Sequence, residues 1–579
     1  MTDFESLENE FINYNPLIFD LNSIEKTDIL SSNFDVKFSN GICFPEFRLG
    51  FHYYIHKTKD KMEVLEQFAN RKKVYLVTSL FEKNIDYKEK TDSGIDFTSI
   101  DDGIKSFIKN IKPDFPPLLN RAFLKMWEML IEFDLIPETE NFTSSHLAEG
   151  PGSFIQATIL YREMLVKLGK IKSASKDNYY GVTLHSDHDH LLMQKDFINY
   201  FDKEPNKRLH IMETKSIKEL KDMYGGGIIT NGDLTKLNTI IQFSGGKNNE
   251  SFAKQSDLIT SDGGFDWKHE NLQEQEAYKL IFGEIVTALK IQKDTGNFVI
   301  KIFETFTKIT IKLIQLLRQI YKNVYLAKPY TSRISNSEKY IVCKGFIKSS
   351  INSKIILKLE EQIHIINKNS QYQILDMFTD VELSDSVYNS YKQINSNLLV
   401  KQYIGINNIS KFINLDNYNS IEFNDFLDKQ IIASHFWNKL FLDTKIFNKI
   451  SKYFKNFNFL EYKKNFKTNE NNNNNLFEIK NNAEIESNAE IESNSETESN
   501  AEIESNSETE SINKSKKIAN KNSKIKKSKE IKKKTQKGGY YVEKSDQNLL
   551  MYDDISINSD EEIIGQLDSD EEIIDLNNI

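Results

Sequence analysis

The chain has 579 residues, 39% of them hydrophobic and 12% aromatic, and this composition predicts two or more globular domains. A formal net charge of −10 excludes a protein that is basic throughout, although a local basic surface can still bind nucleic acid. The two cysteines, Cys43 and Cys343, exclude a disulfide framework and do not make a zinc site. The acidic start is not a signal peptide and no apolar run is long enough to span a membrane, so we expect a soluble intracellular protein in a reducing compartment.

Residues 1–110 mix aromatic and charged residues without a motif of known chemistry, and we expect an accessory region there. Within it, Phe44–His56 is predicted to be a buried segment and Lys59–Lys72 an amphipathic helix. Neither segment indicates a function.

Between residues 111 and 350, short apolar strands alternate with longer helices. The predicted strands cover residues 144–148, 179–184, 226–235, 258–264 and 297–303, followed by NVYLAKP and EKYIVCKGF. Helices are predicted from residue 120, from the turn EGPGSF to residue 168, and at residues 271–291 and 307–321. This alternation is typical of a parallel α/β sheet. The last two strands are too close in sequence for a helical crossover, so one of them is expected to be antiparallel.

Residues 351–462 keep apolar residues at helical and strand spacing and predict a second accessory region, with His435–Asp443 as a packing helix. Residues 463–579 contain an asparagine tract, NAEIES and NSETES repeats, the lysine block Lys514–Lys537 and an acidic end. Such segments bury too little apolar surface to fold, so this tail is predicted to be disordered. The lysine block is either a solvated tail or a sequence-independent contact with RNA phosphates, and both interpretations stay open.

A glycine-proline-glycine turn in HLAEGPGSF, at His146–Phe154, joins a predicted strand to a predicted helix. Glycine permits positive φ and close approach of a ligand, and the helix N-terminus that follows offers unpaired N–H groups. The sequence lacks a Gly-Lys-Ser/Thr ending and a GxGxxG pattern, which argues against a phosphate-gripping loop and a dinucleotide site. By itself, this turn is more often a plain tight turn than a ligand site.

The segment NGDL, residues 231–234, ends another predicted strand at the edge where open α/β sheets bind ligands. Asp233 could accept a hydrogen bond from an adenine amino group, and Leu234 could pack on the ring. Asp187 could hold a ribose diol, but a helix cap or a loop acid is the more common role of such a residue. No metal site is expected, because a matching ligand set is missing around the neighbouring polar residues His185, His188, Asp189 and His190.

Four charged residues stand where ordinary packing would not place a charge. Lys125 lies in an apolar helix, and Asp262 follows a strand. Lys301 interrupts the apolar strand NFVIKIF, and Glu338 leads into the last strand. Each residue alone is explained by a snorkelling side chain or a buried ion pair. Their order around the glycine-proline-glycine turn favours a single catalytic group of residues.

Several blocks in this order resemble the FtsJ-like S-adenosylmethionine-dependent ribose 2′-O-methyltransferases, most closely the branch that methylates cap-proximal nucleotides of mRNA. The blocks are NRAFLK, AEGPGSF, NGDLT, TSDGGFDW, ENLQEQ, FVIKIFETFT and KPYTSRISNSEKYIVCKGF. The resemblance implies a Rossmann-like α/β fold with a mostly parallel seven-stranded sheet and one antiparallel strand, and S-adenosylmethionine as cofactor. The asparagine tract and divergent flanks are similar to versions encoded by large DNA viruses, which implies a cytoplasmic viral factory or a virion as the location.

The resemblance also implies residue roles. Lys301 would take the proton of the 2′-hydroxyl, with its pKa lowered by burial and by the neighbouring Lys125, while Asp262 and Glu338 hold the two amines. The implied cofactor contacts are Asn120, Ala148, Glu149, Gly150, Pro151, Gly152, Ser153, Phe154, Asp233, Leu234 and Asp262. The implied RNA contacts are Asn271, Leu272, Gln273 and Asn336, with Arg333 and Lys328 on phosphates.

Some positions depart from the family pattern. Ser153 stands where many relatives have glycine, and its small side chain should be tolerated. His146 stands where relatives often have aspartate, and the nearest acid is Glu149, which leaves open how the methionine end of the cofactor is held. Asp266 and Trp267 lie in a shortened loop, so substrate contacts there are expected to differ.

The sequence therefore predicts an RNA 2′-O-methyltransferase with capped mRNA as its substrate, acting beside capping or transcription machinery. One alternative is an enzyme for ribosomal or other structured RNA. Another is a non-catalytic methyltransferase-fold subunit that binds RNA and assists mRNA processing. A tail that recruits partners is compatible with each of these.

Overall fold

The computed structural model describes residues 17–41, 49–60, 79–85, 90–91, 94–95, 97–186, 192–216, 230–246, 250–264, 270–415 and 421–442. The chain divides into two units, residues 1–467 and 468–579, and every described residue lies in the first. The predicted tail with Lys514–Lys537 therefore lies outside the described residues, as do Cys43 and residues 61–72 of the predicted helix Lys59–Lys72.

Strands and helices follow one another along the described residues. The strands are β1 (Leu17–Asp20), β2 (Val36–Ser39), β3 (Lys90–Thr91), β4 (Gly94–Ile95), β5 (Thr143–Leu147), β6 (Asn178–Val182), β7 (Leu209–Ile211), β8 (Ser256–Ser261), β9 (Gln292–Ile302), β10 (Tyr321–Lys328), β11 (Lys339–Phe346) and β12 (Gln373–Met377). The α-helices are α1 (Leu49–Asp60), α2 (Asp102–Ile111), α3 (Ala122–Glu132), α4 (Ser153–Lys167), α5 (Lys195–Asp202), α6 (Leu237–Ser244), α7 (Gln273–Ile291), α8 (Lys308–Ile320), α9 (Ser353–Lys368), α10 (Asp385–Leu415) and α11 (Ile421–Leu442). Among these helices, none combines the length and the apolar character that a bilayer-spanning segment requires.

The central sheet has eight strands in the order β1-β10-β11-β9-β8-β5-β6-β7. Strands β7, β6, β5, β8 and β9 run parallel, and β11 runs antiparallel to both of its neighbours, β9 and β10. This arrangement is Rossmann-like, which confirms the predicted fold class and the predicted antiparallel strand. The N-terminal region adds β1, antiparallel to β10, as an eighth strand that the sequence analysis did not assign to the sheet.

The edge strand that pairs with β6 is not the strand that the sequence predicts. The strand next to β6 is β7, whereas the apolar pattern predicts a strand at residues 226–235. In the described part of that range, Thr230 forms an isolated parallel bridge with Thr214, and the chain then turns at Gly232, whose φ is +79°. The strand predicted after Thr230 is therefore wrong. Three residues are too few for β7 to reveal itself by periodicity.

The sheet is covered on both faces. Alternate residues of a strand point to opposite faces, so Ile259 and Ile300 join one core with residues of α7 and α8. Leu258 and Val299 join a second core with residues of α3 and α4. Burial on both sides explains the continuous apolar runs of these strands.

One edge of the sheet collects the loops that carry polar residues. The parallel strands β5, β6, β8 and β9 end at this edge, and the antiparallel strand β11 begins there. We call it the carboxyl edge. Open sheets of this kind bind their ligands outside the carboxyl ends of the strands, so the site is to be sought here.

The C-terminal accessory region is fastened to α3 through Glu128. Its carboxyl accepts hydrogen bonds from Trp437 Nε1 of α11 at 2.9 Å, and from the backbone nitrogens of Tyr330 and Thr331 at 2.6 and 2.9 Å. Burial raises the pKa of Glu128 to about 7 despite these bonds. Residues 435–442 of the predicted packing helix His435–Asp443 thus lie in α11. Glu128 connects this helix to the loop after β10.

Replacing Gly283 of α7 tests the packing of the NGDL loop on this helix. A Cβ at Gly283 would lie 2.0 Å from the carbonyl oxygen of Leu234. We expect Gly283→Ala to lower the free energy of unfolding by about 1–3 kcal/mol, because overpacking outweighs the helix propensity of alanine. Urea denaturation measures the loss. The control is Gly41→Ala, whose added methyl group would meet only Ser39 Oγ at 3.5 Å; equal stability of the two variants would contradict the close packing.

Candidate active site

Four charged side chains meet at the carboxyl edge. Asp262 follows β8, Lys301 is near the end of β9, Glu338 precedes β11, and Lys125 lies early in α3. Lys301 Nζ is 3.1 Å from Asp262 Oδ1 and donates a hydrogen bond to the Asp262 carbonyl oxygen at 2.8 Å. Lys125 Nζ donates to Glu338 Oε2 at 2.8 Å. The residues predicted as catalytic thus form two amine–carboxylate pairs.

Tyr340, which the sequence analysis did not single out, connects the two pairs. It lies opposite Lys301 in the register of β11 and β9, so both side chains leave the same face of the sheet. Its hydroxyl donates to Asp262 Oδ1 at 3.0 Å and also interacts with Glu338. Burial, and then the two carboxylates, raise the pKa of Tyr340 well above its usual value, so the hydroxyl stays a donor. Only the strand register identifies this residue, because in the sequence it is one more member of an apolar strand.

The charge of Lys301 results from opposing effects. Burial favours the neutral amine, but Asp262 and then Glu338 favour the ammonium form, and the net effect raises the pKa of Lys301. This is the reverse of the predicted lowering, because the two carboxylates, and not the cation Lys125, dominate the field at Lys301 Nζ. At Glu338, burial is outweighed by Lys125 and Lys301, which lower its pKa to about 2. In this arrangement Lys301 is an ammonium ion at neutral pH.

The glycine-proline-glycine turn is held against the end of β6. The backbone nitrogen of Glu149 donates to a carbonyl of β6 at 3.1 Å, and that of Gly150 donates to Thr183 Oγ1 at 3.2 Å. Gly152 has a φ of +116°, and a Cβ there would lie 3.0 Å from Met193 Cε, so both conformation and space require glycine. The other residues predicted to contact the cofactor in this turn are Ala148, Pro151 and the buried Ser153 and Phe154.

The carboxyl group of Glu149 folds back onto the start of α4. Its Oε1 accepts hydrogen bonds from the backbone nitrogens of Phe154 at 2.7 Å and Ile155 at 3.0 Å. The sequence analysis expects unpaired N–H groups at this helix N-terminus, but these two are paired. The buried Oε2 of Glu149 lies 3.9 Å from His146 Nδ1 and has no hydrogen-bond partner within the described part of the chain. Burial raises the pKa of Glu149 well above its usual value and lowers that of His146 to about 3. The turn therefore contains an acid with one unpaired oxygen.

Two further predicted cofactor residues have local structural roles. Asn120 Oδ1 accepts a hydrogen bond from Ala122 N at 2.7 Å, at the start of α3. Asp233 Oδ1, half-buried next to the buried Leu234, accepts one from Thr235 N at 2.9 Å. This loop packs on the end of β6, since a Cβ at Gly232 would lie 2.0 Å from Thr183 O.

The predicted ribose contact Asp187 lies outside the described residues, together with His188, Asp189 and His190. His185 is described, and its backbone nitrogen donates to Asn231 O at 2.7 Å. Within the described part of the chain, no group of three or more His, Cys, Asp or Glu side chains is placed to hold a metal ion. The ribose contact of Asp187 therefore stays a prediction.

Residues predicted to contact RNA at the start of α7 are engaged within the protein. Asn271 Nδ2 donates to Asp60 Oδ1 of α1 at 2.8 Å. Gln273 is buried, and its Oε1 accepts a hydrogen bond from Ser337 Oγ. Leu272 is half-buried at the start of the helix. These contacts position α1 and the loop before β11.

Lys328 does not reach solvent, which corrects its predicted phosphate contact. The residue is 5% exposed, and its Nζ donates to Asn336 Oδ1, Asn336 O and Glu338 O at 2.8, 2.9 and 2.8 Å. Burial, reinforced by Lys339, lowers the pKa of Lys328 to about 7. Lys328 therefore supports the loop between β10 and β11 from inside. In the same loop, Arg333 keeps 33% of its side chain exposed while its Nε donates to Glu82 Oε1 at 2.7 Å.

Both accessory regions contact the loops at the carboxyl edge. From α1, Lys59 Nζ lies 3.1 Å from Glu304 Oε1, two residues after β9. From α10, Asn395 Oδ1 accepts a hydrogen bond from Thr305 Oγ1 at 2.6 Å, and its Nδ2 donates to Thr305 O at 2.9 Å. Residues of both accessory regions thus anchor the loop that follows β9.

Comparison with known proteins identifies the central part of the chain. Residues 118–346 match the family model described as FtsJ-like methyltransferase, which confirms the predicted resemblance. An uncharacterized protein of Acanthamoeba polyphaga mimivirus is 29% identical over 309 residues, 52% of this chain and 35% of that protein. Cap-specific mRNA (nucleoside-2′-O-)-methyltransferase 1 of Bos taurus is 31% identical over 244 residues, 39% of this chain and 26% of that protein. The chain thus matches about a third or less of the length of these relatives.

Removing the Tyr340 hydroxyl tests its hydrogen bond to the Asp262 carboxyl group. A hydrogen bond to a carboxylate is more stabilising than a hydrogen bond to a neutral group. We therefore expect Tyr340→Phe to lower the free energy of unfolding by about 2 kcal/mol. The matched control is Tyr321→Phe, because the buried Tyr321 hydroxyl donates to the neutral amide oxygen of Gln292 at 3.0 Å, and about 1 kcal/mol is expected there. Urea denaturation gives both values. A smaller loss at Tyr340 than at Tyr321 would contradict the hydrogen bond from Tyr340 to Asp262.

Proposed function

From the FtsJ-like methyltransferase domain at residues 118–346, we propose that this protein is an S-adenosylmethionine-dependent RNA ribose 2′-O-methyltransferase that acts on cap-proximal nucleotides of mRNA. The observation that carries the proposal is the pairing of Lys301 with Asp262, and of Lys125 with Glu338, at the ligand-binding edge of the sheet. The relatives named cap-specific mRNA 2′-O-methyltransferases support the choice of substrate.

The residues at the carboxyl edge fit S-adenosylmethionine, which carries an ammonium and a sulfonium group. The unpaired buried oxygen Glu149 Oε2 and the Asp262 carboxylate suit cationic groups. The half-buried Asp233, next to the buried Leu234, would hold the adenine. When bound, the cofactor supplies an electrophilic methyl group.

Lys301 is the proposed base. Lys301 Nζ would take the proton of the 2′-hydroxyl as that oxygen attacks the methyl group that the cofactor would supply. The amine must first be neutral, although Asp262 and Glu338 stabilise its charged form. A second cation beside Asp262 offsets the attraction of this carboxylate for the ammonium, so binding of a cationic cofactor makes Lys301 a better base.

The remaining residues orient the reactants. Lys125, held by Glu338, would donate a hydrogen bond to the 2′-hydroxyl and align it for attack. Arg333 and Asn336 are the proposed RNA contacts, because both lie partly exposed in the loop before β11. A subunit that only binds RNA would not need two half-buried amine–carboxylate pairs at this edge.

Replacing Lys301 by alanine should abolish methyl transfer while leaving cofactor affinity within about twofold. Loss of a positioned general base lowers the rate by about 10²–10⁴-fold. Labelled S-adenosylmethionine and capped RNA measure transfer, and calorimetry measures cofactor binding.

The matched control for this variant is Lys344→Ala. Lys344 lies on β11 at the opposite end from Glu338, and its Nζ donates to the carbonyl oxygen of Phe133. We expect this variant to keep the wild-type rate. Normal turnover in Lys301→Ala would remove the assignment of the base.

The substrate is tested with one RNA prepared with a 5′ cap and with a 5′ triphosphate. We expect the label on the ribose of a cap-proximal nucleotide after nuclease mapping. The uncapped RNA should be labelled at least about tenfold more weakly, which corresponds to the loss of ~1.4 kcal/mol of binding. Equal labelling of internal riboses in both RNAs would instead indicate a structured-RNA substrate.

A further inference from the structure

A third acid, Glu284 of α7, lies behind the Asp262–Lys301 pair. It is 1% exposed, and its buried Oε1 has no hydrogen-bond partner among the described residues. In the sequence it interrupts the apolar stretch LIFGEIVTAL, whose other residues pack in the core. A carboxyl group with an unpaired buried oxygen destabilises the fold, so its position requires an explanation.

Glu284 and Lys301 both lie close to the two glycines that follow Asp262. A Cβ at Gly263 would lie 2.2 Å from Glu284 Oε1, and a Cβ at Gly264 would lie 3.3 Å from Lys301 Nζ. The two glycines after Asp262 therefore leave room for the carboxyl group of Glu284 and the amine of Lys301 to approach the same turn. A side chain at Gly263 would displace the carboxyl group of Glu284 from this turn.

The groups that act on Glu284 come from the neighbouring strands. Ser261 and Asp262 belong to the end of β8 and the turn after it, and Lys301 belongs to β9. Burial raises the pKa of Glu284 to about 8, against the opposing effects of Ser261 and Lys301. In turn, Glu284 is one of the carboxyl groups that raise the pKa of Lys301. The two groups are thus electrostatically linked.

We propose that Glu284 is a positioning residue for the reaction: its protonated carboxyl lets Lys301 give up its proton, and its ionisation holds Lys301 in the ammonium form. The inference rests on the proposed function, because it matters for catalysis only if Lys301 is the base. With Glu284 ionised, three carboxylates face one amine, and the neutral amine is disfavoured further. The rate should therefore rise less steeply at alkaline pH than the titration of an isolated lysine would require.

The test is Glu284→Gln in the full chain, which keeps the shape of the protonated acid. Competitive acetylation, read by mass spectrometry from neutral to alkaline pH, reports the titration of Lys301 without any need for activity. We expect Lys301 to react at lower pH in the variant. In single-turnover methyl transfer, the ratio of variant to wild-type rate should grow with pH, by roughly tenfold for each unit by which the pKa of Lys301 falls.

A stability measurement provides a second readout. A carboxyl group whose pKa is raised on folding stabilises the folded form at low pH, and this contribution is lost as pH rises from 4.5 to about 8. Over that range the melting temperature of the wild type should therefore fall more than that of Glu284→Gln. Glu284→Met, which is also uncharged, serves the same comparison if the glutamine variant does not fold.

Glu274→Gln is the matched control. Glu274 is a buried acid of the same helix, and its carboxylate oxygens accept hydrogen bonds from the backbone nitrogens of Phe306 and Thr307 at 3.2 and 3.0 Å. Its replacement should leave the titration of Lys301 unchanged. An unchanged acetylation profile in Glu284→Gln, or pH–rate curves parallel to the wild type, overturns the proposal. If the wild type transfers no methyl group, the proposed function fails, while acetylation still decides whether Glu284 controls Lys301.

Discussion

The reversal of a single strand brings together the charged residues at the carboxyl edge. Because β11 runs antiparallel to β9, the start of β11 lies beside the end of β9, and Glu338 comes next to Lys301 although the two are far apart in sequence. The same register places Tyr340 opposite Lys301. Had β11 followed the parallel order, Glu338 would lie at the other edge of the sheet and Lys125 would lose its partner. The topology, rather than local conformation, thus brings the charged groups together.

Burial and pairing oppose each other in this site, and neither alone would suit catalysis. A buried amine without carboxylates would release its proton easily but would strongly destabilise the fold. Asp262 and Glu338 remove that penalty at Lys301, at the cost of holding the amine charged. If Lys301 is the proposed base, this balance must shift when substrates bind. The carboxyl oxygens of Glu149 and Glu284 that have no hydrogen-bond partner among the described residues are placed to respond to a new positive charge.

Much of the site could be predicted because its residues contrast with their surroundings. Lys301 is conspicuous inside an apolar strand, and the alternation of strands and helices was sufficient to predict a parallel α/β sheet, whereas the Rossmann-like topology was implied by the family resemblance. Tyr340 and Glu284 were missed because their roles depend on register and on which helix face meets the turn, and the sequence states neither. Lys328 was expected on phosphates, but the loop carbonyls that turn inward to accept its protons are a tertiary feature. The three residues of β7 carry no periodicity at all.

The accessory regions explain why the predicted RNA contacts are occupied within the protein. Glu82 pairs with Arg333 and with Arg121, and Asp60 accepts a hydrogen bond from Asn271. A phosphate that binds Arg333 must compete with Glu82, so the net gain from that contact is smaller than for a solvated arginine. Lys59, Glu82 and Asn395 lie outside residues 118–346 and contact loops of the carboxyl edge, so both accessory regions help to fix the loops that RNA would meet under the proposed function.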